Sequence, residues 1–231
     1  MPERPALPRR IAAEAMAAFA LVFCVGGAAA AEGAGHADLG LPAQAAVSGL
    51  AIMALIYAVG HLSGAHINPA VTIAFTLTRH FPGREAAGYI GAQLAGAATA
   101  GLLLLAVWPD KPGNLGANAI SIAPGSALVV ETVLSALLMF VIMAVATDTR
   151  AVGAAAAIAI GGVVLLDILV GGGVSGASMN PARSFGPALA SGTWDDFWIW
   201  VVGPVAGTAI GAFAYQYIRG EPTRAARPEA A

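Results

Sequence analysis

The chain has 231 residues, of which 58% are apolar and only 10% are charged, and its formal charge is −2. Soluble domains usually carry roughly a quarter charged residues, so this composition excludes an ordinary soluble domain and indicates a protein of the lipid bilayer. The small net charge provides no basic face, which excludes nucleic acid as an expected partner and favours a small ligand.

In chain order, six apolar stretches approach the length of roughly 20 residues that crosses a bilayer as a helix. They predict an all-α membrane protein with six transmembrane helices. We expect one domain over residues 1–218, followed by a disordered cytoplasmic tail over residues 219–231. The six stretches cover residues 11–31, 43–62, 84–108, 125–146, 152–170 and 198–218.

The cationic residues are distributed unevenly between the two sides of this topology. Nine arginines, Arg10 and Arg150 among them, fall on one side, and only Lys111 and Arg183 fall on the other. Cytoplasmic loops carry the excess of Lys and Arg, so both termini are predicted to be cytoplasmic. The loops at 32–42 and 109–124 are then external, and the Ala- and Gly-rich composition favours a bacterial inner membrane.

The two halves of the chain repeat the same landmarks in the same order. Glu14 precedes Phe23 by nine residues, and Glu131 precedes Phe140 by nine. The sequence Asn-Pro-Ala then follows at 68–70 and again at 180–182. Because each half, 11–108 and 125–218, holds three spans, the second half must enter the membrane from the opposite side, and the repeat is inverted.

Each Asn-Pro-Ala motif is expected to open a half-helix, over residues 68–77 and 180–190, that reaches only the middle of the membrane. Asn is a preferred N-cap, and Pro is preferred at the first helical position. Two such N-termini meeting at the midplane create a positive spot that repels cations, and each Asn can direct its amide NH₂ into a pore. The predicted midplane residues are Asn68, Pro69, Ala70, Asn180, Pro181 and Ala182.

Arg183 stands three residues after Asn180, in the first turn of the second half-helix. A cation at a helix N-terminus opposes the helix dipole, and charges inside a membrane are expensive and usually functional. The matching residue of the first motif is Val71. We therefore predict that Arg183 forms an external constriction that donates hydrogen bonds to solutes and repels cations.

Two long motifs, HLSGAHINPAVT at 61–72 and SGASMNPARSFGP at 175–187, closely resemble the aquaporin, or major intrinsic protein, family over residues 11–218. The resemblance implies a homotetramer with one pore per subunit, no cofactor, and passive permeation of water and small uncharged solutes. It also implies a selectivity filter at Ser48, Ile168, Ala177 and Arg183.

The small and aliphatic filter residues resemble those of nodulin-type plant channels and bacterial metalloid-permeable aquaglyceroporins. The implied solutes include glycerol, urea and neutral hydroxides such as arsenous or boric acid. Ser184 after the motif arginine is similar to water channels, because glycerol facilitators carry Asp there. A water-selective aquaporin is therefore the alternative.

Other polar residues in the spans have different expected roles. The resemblance suggests that Glu14 and Glu131 orient backbone carbonyls of the loops before the motifs. His61 and His66 flank the cytoplasmic approach to Asn68, where lining the pore and simple packing are both open. Asp167 is unexpected, because related channels often have Asn there; it either bonds the 171–176 backbone or pairs with a neighbour.

Two other classes of protein fit the sequence less well. Secondary transporters also use inverted repeats and broken helices, but a coupling-ion site needs midplane charges, and Arg183 is the charge nearest the motifs. An intramembrane enzyme needs a nucleophile with a base, or metal ligands. Four scattered histidines and one cysteine provide neither, so no enzyme and no metal site are expected.

Overall fold

The structure of the protein is a computed structural model, in which residues 5–148 and 155–220 are described. Within these ranges the chain forms eight α helices, and no strand is present. The predicted tail at 219–231 lies outside the described residues from position 221 onward, as does Arg150. The helices are α1 (Leu7–Gly33), α2 (Gly40–Ser63), α3 (Pro69–Leu77), α4 (Gly83–Val107), α5 (Pro124–Thr147), α6 (Ala156–Ser175), α7 (Pro181–Ser191) and α8 (Ile199–Arg219).

Six of these helices are long and apolar enough to cross a membrane, which confirms the predicted all-α architecture with six spans. The bounds of the fifth span were wrong: α6 ends at Ser175, five residues beyond the predicted end. The glycines at 171–173 do not stop the helix, and the stop is Gly176, whose φ of +81° forms a left-handed C-cap. The first external loop is also shorter than predicted, because α1 continues to Gly33 and α2 begins at Gly40.

The packing of the helices repeats between the two halves. α1 packs on α4 as α5 packs on α8, and α1 contacts α2 as α5 contacts α6. Each half-helix packs on the last helix of the other half, α3 on α8 and α7 on α4. Contacts of α2 with α6 and of α3 with α7 join the halves across the pseudo-twofold axis of the repeat.

The two half-helices begin at the centre and run to opposite ends of the molecule. We name one end the terminal end. There the first turns of α1 and α4 meet through the Arg10–Glu85 ion pair of 2.8 Å. Gln216, near the end of α8, donates to the carbonyl of Thr78, which follows α3. At the other, the loop end, Lys111 donates to the Ser191 carbonyl at the end of α7.

Glycines allow α5 and α8 to approach closely. Gly203, Gly207 and Gly211 repeat at every fourth position of α8 and face α5. A Cβ atom on Gly207 would lie 2.2 Å from the Thr132 carbonyl oxygen, and one on Gly211 would lie 2.2 Å from the Ala136 carbonyl oxygen. Small residues at such positions permit the close helix contacts that stabilise membrane proteins.

We expect Gly207→Ala to destabilise the protein by about 1–3 kcal/mol, because the added methyl group forces α8 away from the backbone of α5. The matched control is Gly162→Ala on α6, where an added Cβ would meet no atom within 4 Å. Thermal unfolding in detergent, followed by the loss of monodisperse protein, measures both variants. Equal melting temperatures for the two variants would contradict the close contact.

Candidate functional site

The loops that precede the two half-helices share an unusual backbone. In each loop three residues adopt positive φ angles, which side-chain-bearing residues rarely do. The strain is greatest at Ile67, a β-branched residue with φ of +57°. Such strained backbone persists only where surrounding contacts hold it. The corresponding residues are Gly64, Ala65 and Ile67 in the first loop and Gly176, Ala177 and Met179 in the second.

Glu14 holds the first loop. Its carboxylate accepts hydrogen bonds from the backbone N–H groups of His66 (3.0 Å) and Ile67 (2.7 Å). It also accepts from the Ser63 hydroxyl at 2.6 Å and from the Gln93 amide at 2.8 Å. Glu14 is fully buried, and these four donors replace the water that the carboxylate has lost.

Glu131 holds the second loop in the same way. It accepts from the backbone N–H groups of Ser178 and Met179, both at 2.9 Å, and from the Ser175 hydroxyl at 2.8 Å. Because a peptide unit is planar, fixing these N–H groups also fixes the direction of the carbonyls that precede them, which is the role expected of the two glutamates. Sequence reasoning missed the serines Ser63 and Ser175, although each stands five residues before its motif Asn and so belongs to the repeat.

The side chains of Asn68 and Asn180 tie the two loops to each other. Asn68 Nδ2 donates to the Met179 carbonyl at 2.7 Å, and Asn180 Nδ2 donates to the Ile67 carbonyl at 3.0 Å. The Oδ1 atoms cap the half-helices, accepting from the N–H groups of Ala70 (2.9 Å) and Ala182 (3.0 Å) respectively. Both amides are therefore fixed in orientation, with one N–H of each bound to the opposite loop.

The other predicted midplane residues lie behind these two asparagines. Pro69 and Pro181 form the first turns of α3 and α7 and are buried. Ala70 and Ala182 are at most 1% exposed. None of the four is among the residues that line the two cavities beside the asparagines and Arg183. Because these four residues are buried and line neither cavity, they support the asparagines by packing behind them.

Arg183 is held by the loop between α4 and α5, which sequence reasoning treated only as an external connection. One guanidinium nitrogen, Nη1, donates to the Gly116 carbonyl at 3.0 Å and to Oδ1 of Asn118. Asn118 is buried; its Oδ1 also accepts from the Ser184 hydroxyl at 3.0 Å, and its Nδ2 donates to the Gly176 carbonyl at 3.1 Å. No local motif marks Asn118 in the sequence, because its partners are distant along the chain.

Two cavities follow one another along the molecule. The first has a volume of about 370 Å³. It begins near the terminal end, where Ala156 lines it, and continues past Asn68 and Asn180. The second, of about 390 Å³, lies at the loop end and is lined by Glu32 and Gln44, among others. Four residues line both cavities and thus mark the boundary between them: Val25, Ser48, Ile168 and Arg183.

The structure therefore brings three of the four predicted filter residues together at this boundary. Ala177, the fourth, lines the first cavity only and is 2% exposed. Val25 on α1 was missed, because nothing distinguishes it from the other apolar residues of that span. Ser48 donates its hydroxyl hydrogen to the Gln44 carbonyl of its own helix at 3.2 Å, so its oxygen lone pairs remain available.

The two histidines near the first motif are placed differently. His66 lines the first cavity, and its ring lies within 5.2 Å, centroid to centroid, of Phe75, Phe81 and Tyr89. His61 is exposed in the last turn of α2 and is not among the residues lining that cavity. The structure therefore places His66 beside the first cavity, where its ring is also packed among aromatic side chains, and places His61 away from it.

Asp167 follows neither of the two arrangements considered for it. The side chain is 1% exposed, and Oδ2 has no hydrogen-bond partner. Asp167 is thus a buried acid next to the boundary residue Ile168.

The chain matches the family model described as major intrinsic protein over residues 2–215. It is 44% identical to Aquaporin NIP1-1 of Oryza sativa subsp. japonica, over 91% of this chain and 74% of that protein. It is 42% identical to Putative aquaporin NIP4-1 of Arabidopsis thaliana, over 92% of this chain and 75% of that protein. Among solved structures, it resembles the aquaglyceroporin from Plasmodium falciparum with a TM-score of 0.82 and 25% identity, over 91% of this chain and 96% of that one. The chain therefore belongs to the major intrinsic protein family, the aquaporins, whose members are membrane channels and not enzymes.

Proposed function

We propose that the protein is a passive channel for water and for small uncharged solutes of the size of glycerol, urea and neutral metalloid hydroxides such as arsenous or boric acid. The observation that carries the proposal is the boundary between the two cavities. It combines one arginine with Ser48, Ile168 and Val25, and it contains no aromatic ring and no histidine among the described residues that line both cavities. A boundary lined by small and aliphatic side chains, with a single strong donor, suits solutes larger than water.

The centre of the path supplies fixed hydrogen-bond donors. Each motif asparagine uses Oδ1 as a helix cap and one N–H to bind the opposite loop. An amide NH₂ group has two N–H donors, so one N–H of each asparagine is left for a passing hydroxyl or water. The two half-helix N-termini add partial positive charge at this point, which disfavours cations and protons.

Arg183 gives the boundary its selectivity for neutral solutes. Its Nη1 is bound by Gly116 and Asn118, which holds the guanidinium against the wall. Arg183 lines both cavities, so its remaining donors can replace hydrogen bonds that a solute loses on leaving bulk water. Ser48 lines the same boundary and provides an acceptor oxygen.

We further propose that the channel is a homotetramer in a bacterial inner membrane with both termini in the cytoplasm. The orientation rests on the excess of arginine at the terminal end. Large apolar side chains such as Leu50, Val170 and Phe213 are exposed on the spanning helices, where lipid or a neighbouring subunit can cover them.

The double variant Ser48→Phe/Ile168→His narrows the boundary. We expect permeability to glycerol, urea and arsenite to fall by about tenfold or more, as size discrimination in a tight site allows, while water permeability is kept. Stopped-flow light scattering and radiolabelled arsenite uptake in proteoliposomes measure these quantities. The control Leu50→Phe/Leu166→Phe adds bulk to exposed positions of the same helices. A wild-type protein that passes water alone would instead identify a water-selective aquaporin.

Replacing Arg183 by valine, its counterpart in the first motif, removes the cation of the boundary. A unit charge a few ångströms from a passing cation contributes about 1 to 4 kcal/mol, so cation permeability should rise about tenfold or more. Conductance of planar bilayers containing Arg183→Val measures the change, with Arg84→Val as control, at an exposed residue that lines neither cavity. Equal conductance of the two variants would remove Arg183 from the proposed barrier.

The variant Glu131→Gln tests whether the second loop shapes the path. The introduced NH₂ group faces N–H donors that it cannot accept from, and each unsatisfied buried donor costs about 1–3 kcal/mol. We expect a lower melting temperature and a lower water permeability per folded channel. Asp110→Asn, at an exposed acid of the loop end, is the control. Wild-type permeability in Glu131→Gln would mean that the loop keeps its shape without the carboxylate.

A further inference from the structure

Asp167 lies on the face of α6 that packs against α5, behind the second loop. Gly171, one turn further along the same face, lies against Leu134 and Val130 of α5, since a Cβ there would be 2.4 Å and 3.3 Å from their side chains. The same Cβ would lie 3.5 Å from Ala177. Glu131 stands between Val130 and Leu134 on α5, so Asp167 lies close to it. The two acids are near enough to interact electrostatically.

The surroundings favour a negative charge on Glu131 and not on Asp167. Glu131 accepts three hydrogen bonds, from Ser175, Ser178 and Met179, and each of them favours the ionised carboxylate. Asp167 Oδ2 accepts none and is buried. A buried carboxylate without donors is strongly disfavoured and becomes neutral by binding a proton.

Few other charges act on Asp167. The helices that pack against α6 are α2 and α5. Glu131 is the only titratable residue of α5, and α2 contributes Tyr57 and His61, both exposed. Arg183 is the cation that interacts with Glu131. Arg183 supplies one positive charge beside Glu131, which leaves no nearby cation among the described residues to balance a second buried carboxylate.

We propose that Asp167 is held as a neutral carboxylic acid behind the residues that line both cavities. We further propose that this neutral state maintains ion selectivity, because ionised Asp167 would offset the charge of Arg183 and weaken the exclusion of cations. Next to Ile168, a second negative charge would cancel the positive potential that a cation meets at the boundary. The consequence for transport rests on the proposed function, whereas the neutral state of Asp167 does not.

Infrared difference spectroscopy of the reconstituted channel tests the neutral state directly. We expect the carbonyl stretching band of a protonated carboxylic acid at neutral pH, lost in Asp167→Asn and retained in the exposed-acid control Asp195→Asn. Asn has nearly the same shape as Asp, and Asp167→Leu is a second neutral variant if Asn is not tolerated. A spectrum without a band assignable to Asp167 overturns the proposal and leaves the proposed function untouched.

The ratio of potassium to urea permeability tests the consequence. We expect this ratio to rise about tenfold in the wild type from neutral to alkaline pH, as one added charge near the boundary permits, and to stay constant in Asp167→Asn. The same pH profile in both proteins overturns the role in selectivity. Absence of urea permeability in every variant at every pH counts against the proposed solute range alone, because the infrared result is independent of transport.

Discussion

The centre of the structure depends on a reciprocal exchange of hydrogen bonds between its two halves. Asn68 binds the Met179 carbonyl, and Asn180 binds the Ile67 carbonyl. The same two residues are held from the other side, because Glu14 accepts from the Ile67 N–H and Glu131 from the Met179 N–H. Left-handed backbone at Ile67 and Met179 is thus fixed at both ends of each residue, and the buried polar groups of this crossing find partners, as a membrane interior requires.

This crossing is symmetric, whereas the proposed selectivity boundary at Arg183 is not. The buried carboxylates, the helix caps and the asparagine amides occur once in each half, so they define a path that is similar from either side. Arg183 belongs to the second half only, since Val71 stands in its place in the first, and Asn118, which binds Arg183, lies between the two halves. The repeat therefore builds the pore, and a residue outside the repeat, Asn118, positions its charge.

Features that arise from periodicity and repetition were predictable from the sequence. Six spans, two half-helices and the equivalence of Glu14 with Glu131 can be read from hydropathy and from matching spacings. The end of α6 could not be predicted from the sequence. The glycines at 171–173 resemble a helix stop, and only the structure shows that Gly171 is small because it packs against Leu134. Asn118 and Val25 were missed for a related reason: their importance comes from residues that are distant along the chain, such as Arg183, which stands 65 residues after Asn118. The paired serines could have been found by extending the repeat five residues before each motif.

The electrostatic balance of the two halves differs in a way that explains why only one end carries a cation. Glu14 is satisfied entirely by neutral donors, including Gln93 on α4. The repeat equivalent of Gln93 on α8 is Pro204, which has no donor, so Glu131 has one hydrogen bond fewer and relies on the nearby charge of Arg183. An arginine in place of Val71 would have no acid left in need of a counterion. The first half therefore needs no cation at the path, and in the proposed channel the barrier to cations is concentrated at the half-helix centre and at Arg183.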